Sequence, residues 1–570
     1  MAFQLSPGVL VTETDLTSVV PAVATTSGGF AGAFNWGPVN EPTLVTSETS
    51  LVETFSGPDA NTAISFFTAA NFLGYGNQLY VVRAVGASGA LNSAANTTTG
   101  AAGVLDQIDN EDDYLNTATA PTNVFLSAKY PGKLGDSLGV IFVDNEKWNT
   151  LATNYRNIFD KQPTFTSYSA TYGTTSSKDE VHIAVIDEDG LITGSKGTVL
   201  EKFQYLSKAS DAVAADGSSI YYRDVINNQS KYLWWRAHPG SNWGNAFVNN
   251  SSIVFVNAEV ASNVISLAGG TSSTATEAEI ATAYQKLIND EVYDISLVPL
   301  GGLQGPNATS VITNLCEVRR DCVAFLSPAL ANVTSNLSGD TAATNVVNYR
   351  NNTLGNISSS FAVLDSGWKY QYDRYNDVYR WMPLNGDIAG LCARTDFVAD
   401  PWFSPGGLNR GQIKNVVKLA FNPTKAQRDV LYKAGVNPVI ASPGNGTVLF
   451  GDKTLLTKPS AFDRINVRRL FIVLEKAIAN AAKYQLFEFN DEFTRSQFRN
   501  LVIPFLRDVK GRRGITDFKV VCDSTNNPGS VVDRNEFVAD IYVKPARSIN
   551  YITLNFIATR TGISFSEVTV

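Results

Sequence analysis

Hydrophobic and polar positions along this chain switch repeatedly between a helical and a strand period, which predicts a multidomain mixed α/β architecture. Ala60 to Leu73 is helix-like, and Gly74, Gly76 and Asn77 break it before the apolar strand Leu79-Tyr80-Val81-Val82-Arg83. The alternation resumes near Ile253. Glu277 to Asn289 reads as a helix, Tyr293 to Leu300 as a strand, Ala308 to Arg319 as a helix and Val323 to Leu326 as a strand. Elements in that order favour a mostly parallel sheet covered on its faces.

The clearest signals lie towards the C-terminus. Asn466 to Tyr484 predicts an amphipathic helix, with Leu470, Phe471, Leu474 and Ile478 on one stripe and Arg468, Arg469 and Lys476 elsewhere. A second helix is predicted over Thr494 to Val509, then strands over Phe518 to Cys522 and Phe537 to Val543, and an alternating run from Ile552 to Thr559. Between the two α/β stretches, Gly86 to Gly103 has the chemistry of a linker. Strands such as Val181 to Ile186, turning at Asp187-Glu188-Asp189-Gly190, then predict an inserted β-rich domain.

Both chain ends are strand-like and coreless. Ser6 to Thr14 places Val9, Val11 and Glu13 on one side, and Val23 to Gly29 is a run of small residues. The tail beyond Gly562 carries Ile563, Phe565 and Val568. Such segments fray or are held by a sheet elsewhere, and they suit addition to a neighbour's sheet edge.

Composition narrows the function. A chain of 570 residues is long enough for about four domains. The net charge of −8 argues against gripping nucleic-acid phosphates. Charged residues make up 17% and hydrophobic ones 44%, which allows several cores and neutral surface for neighbouring subunits to cover. No run of about 18 apolar residues predicts membrane insertion. Met1 to Gly8 lacks the basic and apolar regions of a secretory signal, so synthesis in a cytoplasm is expected. Cys316, Cys322, Cys392 and Cys522 are scattered, fit neither a zinc nor a disulfide framework, and are expected reduced and buried.

Candidate chemistry is thin. Gly135-Asp136-Ser137-Leu138-Gly139 matches a hydrolase nucleophile motif, but a β-branched run follows it where a helix is needed, so it reads as a turn entering a strand. Gly446 to Thr454 is a near miss to a phosphate-binding loop, with Asp452 intruding and Val448-Leu449-Phe450 better suited to a strand. Asp106, Asp109, Glu111, Asp112 and Asp113 lack the turn glycine and ligand order of a calcium loop and read as a solvated face. His182 and His238 are the only histidines, which lowers the expectation of acid–base catalysis. Trp234, Trp235, Trp243, Trp368, Trp381 and Trp402 are expected in cores or interfaces. The basic run Lys510-Gly511-Arg512-Arg513-Gly514 reads as a loop between helix and strand, with glycines that let it project, and as a contact for an acidic partner. No catalytic, metal or cofactor site is expected.

Several strings are similar to those of one family. They are Leu5-Ser6-Pro7-Gly8-Val9 with Glu13, Phe34-Asn35-Trp36-Gly37-Pro38, and Asn71-Phe72-Leu73 through Tyr75-Gly76-Asn77 to Val81-Val82-Arg83-Ala84. From Tyr375 onward come Ala389-Gly390-Leu391-Cys392-Ala393-Arg394-Thr395-Asp396, Phe403-Ser404-Pro405-Gly406-Gly407 and Ile465-Asn466-Val467-Arg468-Arg469-Leu470-Phe471. Phe489-Asn490-Asp491-Glu492 with Thr494-Arg495, and Lys544-Pro545-Ala546-Arg547-Ser548-Ile549-Asn550, complete the set. With them the chain resembles the tail sheath proteins of contractile-tailed bacteriophages of the T4-like group. Coverage is good over 1–85 and 240–570 and weak over about 87–235.

The resemblance implies a structural, non-enzymatic subunit of a virion tail that polymerises with itself as six-fold helical rings around a tail tube. It implies an extended state that contracts on host attachment to drive the tube through the envelope for genome ejection, without ATP, metal or cofactor. Baseplate and tail terminator proteins are the further partners it implies, with no direct nucleic-acid contact. A sheath of a phage-like bacteriocin or injection particle is the nearest alternative, and a tail-associated hydrolase using Ser137 or a carbohydrate-binding surface protein the distant ones. The expected organisation is a linking arm over 1–22, an α/β domain over 23–86 and 236–420, an outward-facing insertion over 87–235, an inner domain facing the tube over 421–559 with Lys510, Arg512 and Arg513 as tube-facing residues, and a second linking arm over 560–570.

Overall fold

The computed structural model describes residues 25–95, 105–117, 124–174, 176–256, 263–334 and 337–550. Both terminal arms, and the alternating run from Ile552 to Thr559, lie outside the described residues. The described chain forms two compact units: one of residues 25–400 with Pro405–Ile465, the other of Pro401–Ser404 with residues 466–550.

The larger unit is built on a seven-stranded sheet. Its strands are β1 (Gly28–Ala33), β2 (Thr43–Val45), β3 (Leu79–Ala84), β11 (Leu297–Pro299), β12 (Val323–Leu326), β13 (Ala362–Asp365) and β17 (Val436–Asn437), in the spatial order β17–β13–β12–β11–β1–β3–β2. All neighbours are parallel except the β2–β3 edge pair. The near-continuous apolar character of β3 and β12 follows from burial on both faces.

Gly28 and Gly29, read as part of a coreless run, instead open β1, an interior strand of this sheet. A Cβ on Gly28 would sit 2.7 Å from the Phe72 ring, and one on Gly29 2.9 Å from Ile295. Glycine is there because helices and loops approach the strand closely. The predicted helix over Ala60 to Leu73 is Ala63–Leu73. The helix Asn385–Val398 packs against it so tightly that a Cβ on Gly386 would lie 2.5 Å from the Thr68 carbonyl. The predicted Tyr293 strand contracts to β11, and the predicted Ala308 helix contains a widened π turn over Ile312–Cys316.

β17 and the hairpin of β18 (Val439–Ser442) and β19 (Gly446–Leu449) belong to this larger unit. The units therefore divide at Ile465/Asn466, past the expected 420/421, because Val436 pairs with Leu364 of the large sheet.

A charged pair is buried in the same unit. On the antiparallel sheet β15 (Val378–Pro383)–β14 (Trp368–Asp373)–β16 (Lys418–Leu419), Lys369 is inward-facing, and its Nζ lies 2.9 Å from Asp387 Oδ1. Tyr75 donates to the same carboxylate oxygen, at 3.1 Å. Burial pushes the Asp387 carboxyl up, against the pull of Lys369. Such a pair fixes one arrangement of strand and helix at a cost in desolvation.

The insertion between β3 and β11 forms two further sheets. One is β4 (Ala94–Ala95)–β5 (Leu126–Ala128)–β9 (Leu233–Trp235). The other, antiparallel, is β10 (Ile265–Ser266)–β6 (Leu138–Val143)–β7 (Glu180–Asp187)–β8 (Thr198–Ser207). Phe142, Tyr222, Trp235 and Trp243 fill their core, and Trp36 from outside the insertion joins it. The insertion's sheet closes only with β10, beyond the expected end at residue 235. Its opening stretch is no linker as far as residue 95: Asn92, Ser93, Ala94 and Ala95 are buried, and a Cβ on Gly270 would lie 2.1 Å from Ser93 Oγ. Small side chains there serve close packing.

Candidate functional site: assembly surfaces of the C-terminal unit

Among the described residues, two long helices and one hairpin form the body of the smaller unit. The helices are Ile465–Ala482 and Glu492–Gly511, and the antiparallel hairpin is β20 (Ile515–Val521) with β21 (Asp540–Pro545). Leu470 and Leu474 meet Phe498, Val502, Leu506 and Val509 in a core closed by Trp402, Ile515 and Cys522. Asp491 caps the second helix by accepting from the Thr494 N–H at 2.9 Å. Arg468 and Arg469, expected off the apolar stripe, are buried, and Arg468 reaches Glu475 at 3.3 Å. The first two turns of that helix are enclosed on every side, so amphipathic periodicity misplaces them.

β20 and β21 pair along one edge each, from Ile515↔Pro545 to Val521↔Asp540. Their other edges pair with no described strand. A two-stranded sheet with unpaired N–H and C=O rows is a template for further strands.

The basic run departs from its predicted form. Lys510 and Gly511 are the last turn of the second helix, and Lys510 reaches Asp517 at 3.3 Å. Arg512 lies 3.5 Å from Asp508 and covers the Trp402 ring at 5.1 Å, while its carbonyl accepts from Trp402 Nε1 at 3.0 Å. Gly514 is buried, with room for no Cβ beside Val509 and Trp402, so it anchors the turn rather than letting it project. Arg513, in the left-handed region at φ +68°, is exposed and has no ion pair among the described residues. The segment is a helix end tied to a buried tryptophan, with three cations on its surface.

The other candidate chemistry is absorbed by structure. Ser137 ends a 3₁₀ turn entering β6 and is fully buried. Its Oγ donates to Asp187 Oδ1 at 2.6 Å. The same carboxylate accepts from the N–H groups of Gly190, Ile192 and Thr193 and from the Thr193 hydroxyl. Burial pushes Asp187 up, but these hydrogen bonds outweigh it and hold the carboxyl below its ordinary range. The serine and aspartate bolt a tight turn together.

Asp452 of the near-miss phosphate loop pairs with Arg464 at 2.9 Å, and Lys453 donates to the Tyr432 carbonyl. The acidic cluster is only partly a solvated face: Asp106 takes the buried Arg236 guanidinium with both oxygens at 2.8 Å. Burial lowers both His182 and His238; His182 accepts from the Tyr205 N–H, and His238 meets the Tyr222 hydroxyl at 2.6 Å. Trp234, Trp235, Trp243, Trp368 and Trp402 are buried and Trp381 is half-buried. All four cysteines are buried. Among the described residues no group of acidic, histidine or cysteine side chains is arranged to hold a metal ion, and no helix is long and apolar enough to cross a membrane.

One surface escaped the sequence reading. The connection between the two helices exposes Tyr484, Leu486, Phe487 and Phe489, and the first turn of the second helix exposes Phe493. The available signal was a run of apolar residues where a polar turn belongs.

The fold is that of sheath tail proteins. A sheath tail protein from Listeria innocua superposes with a TM-score of 0.54 at 11% identity, covering 93% of this chain and 97% of its own. One from Desulfitobacterium hafniense gives 0.52 at 13%, covering 94% and 100%. Sequence profiles match in three places: "Tail sheath protein Gp18 domain III N-terminal region" over 29–84, "Phage tail sheath protein central domain" over 265–455, and "Phage tail sheath C-terminal domain" over 457–559. The chain is 36% identical to the tail sheath protein of Vibrio phage KVP40 and 35% identical to that of Enterobacteria phage T4, over 99% of both chains in each case. The chain belongs to the phage tail sheath protein family, as a structural subunit of a contractile tail sheath.

Proposed function

We propose that copies of this chain polymerise as six-fold helical rings around a tail tube and contract on host attachment, driving the tube through the envelope. The arms 1–22 and 560–570 link the copies by adding strands through Val9, Val11 and Glu13 at one end and Ile563, Phe565 and Val568 at the other. The observation that supports this is the two-stranded β20–β21 sheet, with one edge of each strand open among the described residues, in a chain related along its whole length to tail sheath proteins. Lys510, Arg512 and Arg513 meet the tube, the insertion faces outward, and baseplate and terminator proteins bind the two ends of the polymer. Assembly takes place in the host cytoplasm, and no catalysis, metal or cofactor enters the cycle. Energy is stored as a conformational difference set during assembly, and rigid-body rotation releases it.

The test compares the full chain with truncations lacking 1–22 or 560–570 by sedimentation and negative-stain microscopy. Hollow striated tubes are expected from the full chain, and folded, non-polymerising protein from each truncation. Normal tubes from both truncations, or no tubes from the full chain, would overturn the reading.

A further inference from the structure

The helix connection in the C-terminal unit and the first turn of the second helix hold five exposed large apolar side chains within ten residues, among them Phe487 at 106% exposure and Phe489 at 85%. Phe487 also has φ +70°, an unfavourable backbone conformation for a bulky residue. Apolar groups at that density mark a protein contact. Between the two phenylalanines stands Glu488, exposed and without an ion pair or side-chain hydrogen bond among the described residues. Asp491 caps the second helix and Glu492 pairs with Arg499 at 2.8 Å, so Glu488 is the carboxylate of the tip left without an ion pair among the described residues.

The larger unit carries a surface of the opposite kind. On the outer face of the β14–β15–β16 sheet, Tyr370 lies opposite Trp381 and Tyr372 opposite Tyr379. Their rings form one ladder, with Tyr370 4.8 Å from Trp381 and 5.5 Å from Tyr379, and Tyr372 5.2 Å from Tyr379. Val417 and Val378 are exposed beside it in sequence. Lys418 stands over the ladder, with its Nζ 5.0 Å from the Tyr370 ring and 5.6 Å from the Trp381 ring. Lys418 pairs with no carboxylate among the described residues. The nearby carboxylates are occupied: Asp377 accepts from the Tyr372 hydroxyl and Asp373 holds Arg380.

We propose that the Phe487-Glu488-Phe489 tip of one copy packs on the aromatic ladder of a neighbouring copy, with Glu488 against Lys418. A second copy is the occupant because each surface leaves unmet the charge that the other supplies. Two different surfaces joined in this way make a heterologous contact, which repeats without closing on a pair of copies and so suits a helical polymer. The inference rests on the sheath reading. The rings supply the contact area, and the ion pair sets the register.

The experiment uses full-length chain carrying Glu488→Cys and Lys418→Cys, polymerised and treated with a short bismaleimide. The native cysteines are buried, which keeps their background low. A ladder of cross-linked oligomers is expected from the double variant only, and only when it is polymerised. In parallel, Glu488→Lys and Lys418→Glu should each reduce the sedimenting polymer several-fold, and the two together should restore it. Polymers without a cross-linked ladder, or with no rescue by the charge swap, would overturn the contact while leaving the sheath reading intact. Normal polymers of Glu488→Lys that fail only on tail tubes would assign the tip to the tube and overturn the proposal. Absence of any polymer from the unaltered chain would overturn both readings.

Discussion

The insertion and the C-terminal unit use the same materials, helices packed on small antiparallel sheets, to different ends. The insertion stacks three- and four-stranded sheets around Trp235, Trp243 and Tyr222, and the turn after β7 is locked by Ser137 and Asp187. The C-terminal unit pairs two strands among the described residues and leaves a cluster of aromatic side chains in water. The insertion's Trp235, Trp243 and Tyr222 fill its own core, although Leu115, Leu191 and Val248 stay exposed. A region with open edges and exposed rings is finished by association. The comparison supports the proposal that the C-terminal unit, rather than the insertion, links copies of the chain.

The largest expected effect is on assembly. Removing either arm should abolish long polymers while leaving the melting of the described units unchanged, as read by sedimentation and calorimetry. Loss of folding on truncation would break the contrast, because the arms would then be part of a core. Next comes Trp235→Ala, which should cost the insertion about 3–5 kcal/mol. The polymer yield should nevertheless persist at temperatures where the altered insertion remains collapsed. A parallel loss of polymer would show that the insertion carries contacts after all.

A pH series sharpens the same contrast. Lys208 is fully buried, 3.7 Å from Asp144 and against the Trp243 ring at 4.6 Å. Burial, partly offset by Asp144, lowers its ammonium to about 8. The unfolded chain then binds more protons than the folded one above that value, so the insertion should gain stability as pH rises from about 8 towards 10. Lys208→Met should flatten the trend in thermal melts, and a wild-type insertion that weakens over this range would refute the assignment. At the low end, Asp187 contributes stability that is present above the ordinary carboxylate range and lost on acidification, and Asp187→Asn should remove that component at a cost of about 1–3 kcal/mol.

The smallest effect belongs to Arg512→Glu with Arg513→Glu. Tube-free polymer should be unaffected, and assembly on tubes should weaken most at low salt, where exposed charges are least screened. Normal assembly on tubes at low salt would remove these residues from the tube-facing surface.

Much of this was legible in the chain. The strand Val323–Leu326 appears where its apolar run predicted it, and the helices Ala63–Leu73, Ile465–Ala482 and Glu492–Gly511 lie within a few residues of their periodic patterns. Local period and breakers are properties of neighbouring residues, so sequence carries them. The nucleophile-like motif was also readable as a turn, because the β-branched run after Ser137 cannot form the required helix.

What sequence determined, then, was the two long C-terminal helices, several apolar strands, the mixed α/β class and the family strings. The rest depended on distant partners. Small residues at Gly28, Gly29 and Ser93 read as loose chain until the close approach of Phe72, Ile295 and Gly270 explained them. Arg468 and Arg469 read as surface until both proved buried. Gly514 read as freedom until Trp402, more than a hundred residues earlier, filled the space beside it. Only tertiary structure decided these, because burial, pairing and close approach are set by residues remote in sequence, and no local pattern encodes which remote residue arrives.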